Sequence, residues 1–143
     1  MQKKWPARAL LTLLCVAMLC SIPAYAAEAR ASDRIMHSTA TLSTKSNGDL
    51  SIFFSVWATG KMDVIGASSV VIQRSSGSSW VTEYTFTPSN APEIQAESKY
   101  QHSATLTYSP LFTEKEYRAV VMIYVKDATG VSTQKLTSRT IAA

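Results

Sequence analysis

Beyond residue 34 the chain is a succession of short runs in which apolar residues recur at every second position. The clearest run is Glu116–Lys126, whose odd-numbered positions are all apolar, beginning with Tyr117. Successive side chains of a strand point to opposite faces of a sheet, so this period of two predicts a strand with one buried face. Helical spacing does not appear in this part of the sequence, and the predicted fold class is all-β.

Seven strands are predicted in this way. They are Ile35–Ser43, Leu50–Ala58, Ser68–Arg74, Trp80–Thr87, Lys99–Ser109, Glu116–Lys126 and Ser132–Ile141. Turn residues separate them: Asn47-Gly48 suits a tight turn at positive φ, and Gly60 and Gly66 lie between the second and third strands. Pro88–Glu97 holds two prolines and is expected to cross from one sheet to another. The pattern favours a seven-stranded antiparallel immunoglobulin-like sandwich over an open barrel.

The same alternation predicts which side chains face the core. The predicted inner residues are Leu50, Ile52, Phe54, Val70, Ile72, Trp80, Tyr84, Leu106, Val121 and Ile123. Within Trp80–Thr87 we expect the even-numbered residues to share the inner face and Glu83 to mark the face that contacts water.

The first residues of the chain have the three parts of a cleavable export signal. Met1–Arg8 is basic, Ala9–Ile22 is an apolar run of 14 residues, and small residues follow at Ala24 and Ala26. Signal peptidase requires small side chains at these two positions, so cleavage is predicted immediately before Ala27. We therefore expect the protein to be secreted into the extracellular space.

Two other interpretations of this segment have to be weighed. An uncleaved membrane anchor must cross a hydrocarbon core of about 30 Å, whereas a helix of this length reaches only about 21 Å. A lipoprotein signal would use Cys15 or Cys20, but each of them follows a leucine where a small residue is required. Cleavage would leave residues 27–34 as a flexible leader and residues 35–143 as the β-sandwich domain.

Removing the export signal removes both cysteines of the chain. The mature chain then has neither a disulfide nor a thiolate for metal binding or catalysis, and its core has to stabilise it alone. Three of the 14 Lys and Arg residues leave as well, so 11 basic residues face 10 acidic ones. This near-neutral charge argues against a nucleic-acid partner, and membrane contact is expected only through the export signal.

The mature sequence offers little for catalysis or for a bound cofactor. Its two imidazoles, His37 and His102, both lie on predicted strands, and no serine sits in a nucleophile motif. No metal-ligand spacing and no glycine-rich phosphate loop occurs, so neither a metal nor another cofactor is predicted. Glu114 and Glu116 flank Lys115 and are interpreted as a solvated corner. The protein is predicted not to be an enzyme.

The segment Leu111–Ser132 has a recognisable pattern. It carries Tyr117-x-Ala119-x-Val121-x-Ile123, followed by Asp127-x-x-Gly130-x-Ser132. This pattern resembles the sixth strand, the following turn and the start of the seventh strand of fibronectin type III domains. In such sandwiches the tyrosine forms a corner, so the resemblance implies that the Tyr117 hydroxyl bonds to the backbone near Leu111–Lys115.

A second set of residues extends over more of the chain. It consists of Ile65-Gly66, Val71-Ile72-Gln73-Arg74, Trp80 and Tyr117-Arg118. With these residues the stretch Ser38–Thr140 is similar to a family of small exported proteins of Gram-positive bacteria known only as a domain of unknown function. The resemblance implies an exported β-sandwich and supplies no activity.

Aromatic side chains that point away from the predicted core are the remaining candidates for a binding surface. Phe53 and Trp57 lie out of phase with the aliphatic stripe of the second strand, and Tyr124 lies out of phase on the sixth. Exposed rings stack on sugars or anchor protein interfaces, because they bury much area at a small cost in entropy. The alternative is that a neighbouring segment or a second core layer covers them.

The predicted function is therefore a non-enzymatic extracellular binding or interaction module, whose partner is a protein or a glycan at or outside the cell surface. The alternative is a structural subunit of a surface assembly, joined by strand addition at an unpaired sheet edge with Ala27–Ile35 as the donor strand. An enzyme would need His37 or His102 beside a carboxylate in a cleft.

Overall fold

The computed structural model describes residues 33–143, which form an all-β domain. Its elements are β1 (Ile35–Thr44), β2 (Leu50–Ser76), β3 (Ser79–Phe86), a 3-10 turn at Pro92–Ile94, β4 (Gln95–Tyr108), β5 (Glu116–Asp127), β6 (Gly130–Thr137) and β7 (Ile141–Ala142). All the strand pairs are antiparallel, so the predicted all-β antiparallel fold is confirmed. The predicted export signal, with Ala24, Ala26 and Ala27 at its cleavage site, lies outside the described residues. No helix within residues 33–143 is long and apolar enough to cross a membrane.

Strand β2 connects the rest of the sheet. Its first part, Leu50–Ala58, pairs with β1 on one side and with β4 on the other. Its second part, from Val64 to Arg74, pairs with β5, and its last residues pair with β3 on the opposite side. β5 in turn pairs with β6 and β7. The seven strands therefore form one connected sheet built around β2.

The prediction that Gly60 and Gly66 separate two strands is wrong. β2 continues through both glycines and is 27 residues long. It bends there instead of ending, because its register with β4 shifts between Trp57 and Met62 and its register with β5 shifts just after Ala67. Extra residues of this kind bend a strand without ending its pairing.

The predicted last strand is divided in the structure. β6 ends at Thr137, and β7 pairs with the first residues of β5, where Ile141 lies opposite Tyr117. At the break the Ser138 hydroxyl accepts a hydrogen bond from the backbone N–H of Ala119 at 2.9 Å, which replaces a bond of the ladder. The total of seven strands nevertheless agrees with the prediction. The second and third predicted strands are joined in β2, and the seventh predicted strand is divided into β6 and β7.

Most of the predicted inner face is buried in one hydrophobic cluster. The confirmed residues are Leu50, Ile52, Phe54, Val70, Ile72, Leu106, Val121 and Ile123. The prediction is wrong for β3, where Tyr84 is 41% exposed and Trp80 is only half-buried. A bulge is the reason for Trp80: Tyr84 and Thr82 lie opposite consecutive residues of β2, which leaves Glu83 without a partner and places Trp80 opposite Ser75 on the outer face. Tyr84 lies opposite the buried Ile72, so it shares the inner face but remains partly exposed.

Glu83, expected to contact water, is instead almost covered. Its side chain is 9% exposed and forms an ion pair with Arg74 at 2.6 Å. The Arg74 guanidinium also lies 4.3 Å from the centre of the Phe112 ring. The backbone carbonyl of Phe112 accepts a hydrogen bond from the Tyr117 hydroxyl at 2.9 Å. The hydrogen bond expected of Tyr117 is thereby confirmed.

Candidate functional site

The outer face of the first part of β2 carries two exposed aromatic rings. Trp57 is 49% exposed and Phe53 is 39% exposed, and Ser55 lies between them on the same face. The pairing of β2 with β4 runs without a shift from Leu50 to Trp57, and β1 pairs with the same stretch on the other side. Both rings therefore project from a regular strand with a paired neighbour on each side.

Polar residues flank these rings on both neighbouring strands. Trp57 lies between His37 and Gln101, Ser55 between Thr39 and Ser103, and Phe53 between Thr41 and Thr105. Serine and threonine side chains are too short to cover a ring on the next strand. Along β2 this face therefore presents a ring, a hydroxyl and a second ring. The neighbouring strands present hydroxyl, imidazole and amide groups beside them.

An open groove of about 540 Å³ follows this face, and we call it the β2–β4 groove. Its lining consists of Phe53, Ser55 and Trp57 from β2, and Lys99, Gln101, His102 and Ser103 from β4. The volume is that of a site for a small molecule or for a short stretch of a polymer. Every lining residue belongs to a strand, so the sheet holds the site in place without help from a loop.

Lys99 reaches the groove where the two strands become irregular. Four residues of β2 separate Trp57 from Met62, whereas one residue separates their partners on β4, Gln101 and Lys99. Ser98, next to the lysine, has a positive φ of 55°, a conformation that residues with a side chain seldom adopt. The bend of β2 thus determines where the lysine lies.

His102 borders the groove from β4, but it pairs with the buried Val56, so its ring lies on the opposite face of the sheet from Trp57. Its Nε2 lies 2.7 Å from the backbone carbonyl oxygen of Glu93, and because a carbonyl oxygen can only accept, that nitrogen donates the hydrogen bond. The ring is edge-on to Phe54, with ring centres 6.2 Å apart. The interactions of His102 in the described part of the chain are therefore with backbone and core, not with a carboxylate.

Tyr124, the third predicted surface residue, is not part of this groove. It lies opposite Gly66 on β2 and Thr133 on β6, nine positions beyond Trp57 along β2. Its side chain is half-buried. The structure therefore brings Phe53 and Trp57 together and leaves Tyr124 on another part of the sheet.

Comparison with known proteins adds no family to this picture. The chain matches no protein-family model and no curated protein. Within residues 33–143 no group of three or more His, Cys, Asp or Glu side chains is placed to hold a metal ion.

Two carboxylates with lowered pKa values belong to turns of the fold. A hydrogen bond from Ser109 is the main cause that lowers the pKa of Asp49, next to the turn between β1 and β2. Hydrogen bonds from Thr129 and then Arg34 hold the pKa of Asp127 well below its usual range. Neither carboxylate lines the β2–β4 groove. The chemistry that the groove offers is that of ring faces, hydroxyls, an amide and one ammonium group.

Sequence reasoning identified the two rings and missed their polar neighbours on β4. Gln101 and Ser103 occupy the polar phase of the predicted strand Lys99–Ser109, which marks them as outward-facing. Alternation does not say which strand lies beside β2, because the same pattern is satisfied by any antiparallel neighbour. The pairing of Trp57 with Gln101 therefore becomes visible only in the folded sheet.

Proposed function

We propose that the protein is a secreted, non-enzymatic binding module that holds its partner in the β2–β4 groove. The observation that carries the proposal is the pair of exposed rings, Phe53 and Trp57, on one face of a regular central strand. Covering such rings gains roughly 25 cal/mol for each Å² of apolar surface removed from water. The sheet fixes the backbone that carries the rings, and an aromatic side chain has few rotatable bonds, so little entropy is lost on binding. The polar groups beside them supply the hydrogen bonds that orient a partner.

The arrangement of the groove favours binding over catalysis. General acid–base chemistry needs a free titratable group within about 2.6–3.2 Å of the reacting atom, with a second group to orient it. The Nε2 of His102 is already bonded to a backbone carbonyl, and the described lining includes no carboxylate. The hydroxyl of Ser55 lies 3.0 Å from that of Thr39, a partner that is not a base.

We also propose that the sheet folds into two layers, as in an immunoglobulin-like sandwich. Tyr84 of β3 stacks on Tyr108 of β4 with ring centres 5.9 Å apart, although the two strands pair with opposite ends of β2. The Thr44 hydroxyl donates a 3.2 Å hydrogen bond to the carbonyl oxygen of Ala142. Thr44 pairs with the first residue of β2, whereas Ala142 lies in β7, which pairs with β5 next to Arg74 near the other end of β2. Both contacts are explained if β2 bends so that its two parts lie over each other.

Export is the third part of the proposal. Cleavage before Ala27 would leave a chain without cysteine, which suits a domain stabilised by packing alone. If the chain belongs to the family of small exported proteins that its residues resemble, the same compartment follows. Mass spectrometry of the secreted product should find Ala27 at its start, and a product that contains Cys15 or Cys20 would contradict the proposal.

Retention on immobilised cell-wall polysaccharides and on immobilised secreted proteins tests the binding function. The purified protein should be retained by at least one of these, and the double variant Phe53→Ala/Trp57→Ala should be retained at least ten-fold less strongly, a loss of about 1.4 kcal/mol or more. Leu111→Ala is the control, because Leu111 is 82% exposed and does not line the groove. Retention by nothing, or equal retention of the double variant, would show the proposal to be wrong.

The free edge of β4 supports a second candidate, a structural subunit joined by strand addition. β4 has 14 residues and, within residues 33–143, pairs only with β2. Its other edge presents backbone N–H and C=O groups along a strand without proline, an arrangement to which a donor strand adds. The proposed donor is the segment Ala27–Ile35 of another copy, and because Arg34 and Ile35 are bonded within their own copy, adding the whole segment would require those bonds to open. Light scattering at high concentration should then detect oligomers, and a strictly monomeric protein would contradict this candidate.

A further inference from the structure

Taking the binding function proposed above as given, we infer that the ligand of the β2–β4 groove is a linear, acidic oligosaccharide that lies along β2. Three features of the groove carry this step. They are the spacing of its rings, the polar groups beside them and the sign of its charge.

The spacing of the two rings sets the minimum length of the ligand. Phe53 and Trp57 are four residues apart on one strand, which places their Cα atoms about 13 Å from each other. A single sugar ring can stack on one of them but not on both. Adjacent sugars of a chain lie much closer together than these two rings, so a ligand that covers both rings consists of at least three sugars joined along the strand, with the middle sugar over Ser55.

The polar groups beside the rings suit a hydroxylated ligand. A pyranose has an apolar C–H face that stacks on an aromatic ring, and hydroxyl groups at its rim that need both donors and acceptors. Gln101 and Ser103 lie on one side of the aromatic face, and Thr39 and Thr41 lie on the other. Amide and hydroxyl side chains supply donors and acceptors together.

A protein partner fits the groove less well. Protein interfaces are enriched at their centres in arginine and methionine as well as in aromatic residues. Among the described residues that line the groove there is neither. The lining has one amide and two serine hydroxyls instead, from Gln101, Ser55 and Ser103, which are groups that match the rim of a sugar better than the apolar side chains of a protein.

Lys99 gives the groove its charge. It is the one charged residue in the described lining, and it lies at the Trp57 end, two positions from the Gln101 that pairs with this tryptophan. An ammonium group with no carboxylate beside it in the lining attracts an anionic substituent. The sugar at the Trp57 end is therefore the one that carries the acidic group.

The groove also selects the interior of a polymer over its end. All of its lining residues belong to β2 and β4, so no loop of the described chain closes over the sugars. A longer polymer can continue past Phe53 at one end and past Trp57 at the other. Affinity is therefore expected to rise with ligand length until both rings are covered, and then to level off.

Isothermal titration calorimetry of the purified protein tests the inference. The ligands are oligogalacturonates and hyaluronan fragments of two, four and six sugars, each beside its carboxyl-reduced neutral form. For at least one series, the affinity should rise about ten-fold from two to four sugars, because the longer ligand stacks on a second ring. From four to six sugars the affinity should change little. The acidic form should bind about three-fold more tightly than its neutral form, as expected of one exposed ion pair.

Single substitutions assign these effects to residues. Trp57→Ala and Phe53→Ala should each lower the affinity for the four-sugar ligand about ten-fold and abolish the dependence on length, because one ring remains. Lys99→Gln should lower the affinity for the acidic form about three-fold and so abolish the preference for the acidic form over the neutral one. Leu111→Ala should bind as the wild type does, and thermal unfolding of each variant confirms that it is folded.

The possible outcomes separate this inference from the function on which it rests. Equal affinity for two and four sugars, or equal affinity for acidic and neutral forms, would overturn the inference of a linear acidic ligand. The inference would also be overturned if no sugar bound and a defined secreted protein bound through Trp57. That result would leave the proposed binding function in place. If neither sugars nor proteins bind, both are wrong.

Discussion

Tyr117 has its ring in the core and its hydroxyl against the loop that precedes β5. The ring is fully buried, and the hydroxyl donates a 2.9 Å hydrogen bond to the carbonyl oxygen of Phe112. Burial is the main reason that the pKa of Tyr117 is raised, because the ionised form is unfavourable away from water. This one residue therefore attaches the loop to the core in two ways, by packing and by a directed hydrogen bond.

Replacing Tyr117 by Phe should lower the free energy of unfolding by about 1 kcal/mol. The substitution keeps the ring and removes only the hydrogen bond to Phe112. Urea denaturation measures the change. Tyr124→Phe, on the outer face of β5, is the control and should change the free energy of unfolding by less than about 0.5 kcal/mol. Equal effects of the two substitutions would contradict a stabilising role for the corner.

Among the elements, β2 depends on Gly66 for its bend. The φ of Gly66 is +147°, a value that residues with a side chain rarely adopt, and a Cβ atom there would overlap the carbonyl oxygen of Ile94. Gln95, the first residue of β4, pairs opposite Gly66. The absence of a side chain is what allows β4 to begin so close to β2.

Gly66→Ala should therefore lower the free energy of unfolding by more than about 2 kcal/mol, because both the backbone conformation and the space oppose a methyl group. Gly60→Ala is the matched control within the same strand, since a Cβ atom at Gly60 meets nothing within 4 Å. Its effect should stay within about 0.5 kcal/mol. Urea denaturation of both variants gives the comparison, and similar values for the two would mean that the contact with Ile94 does not limit the fold.

How far the elements could be predicted depended on bulges. The buried face of β5 follows from alternation because its pairing with β6 has no shift, so Val121 and Ile123 stay in one phase. The prediction failed at Glu83, where a bulge reverses the phase of β3, and at Ser138, where a side chain interrupts the ladder. Gly66 was predicted to lie in a turn between two strands, whereas in the structure it lies where β2 bends. Turns and bulges use the same residue types, so a single sequence does not distinguish them. Phe53 and Trp57 lie where the register is regular, so alternation predicts their face. Lys99 lies beside the irregular stretch between Trp57 and Met62, so its position could not be predicted.

At the scale of the whole domain, side chains connect the two ends of the sheet. β1 and β6 are the outer strands of the order β1, β2, β5, β6, and no backbone pairing joins them in the described residues. The Ser38 hydroxyl donates a 2.7 Å hydrogen bond to Gln134 across this seam. Arg34, within the predicted leader, bonds Asp127 at 2.9 Å and Thr129 at 2.6 Å. The start of β1 is therefore attached to the turn between β5 and β6.

This attachment should make stability depend on pH. Hydrogen bonds from Thr129 and Arg34 lower the pKa of Asp127 in the folded protein below its ordinary value of 3.8. A carboxyl group with a lowered folded-state pKa contributes stability that is fully present above about pH 5 and is lost progressively as the pH falls from the ordinary value towards the lower folded-state pKa. The free energy of unfolding of the wild type should therefore exceed that of Asp127→Asn most above about pH 5, and the difference should shrink below about pH 4.

Urea denaturation between about pH 3 and about pH 7 measures this difference, and Arg34→Gln separates its causes. Because the bonds from Thr129 remain in that variant, Arg34→Gln should lose only part of the pH dependence that Asp127→Asn removes. Parallel curves for the wild type and Asp127→Asn would mean that the carboxylate does not hold the turn. The seam would then depend on contacts such as that of Ser38 with Gln134, which carry no charge and respond little to pH.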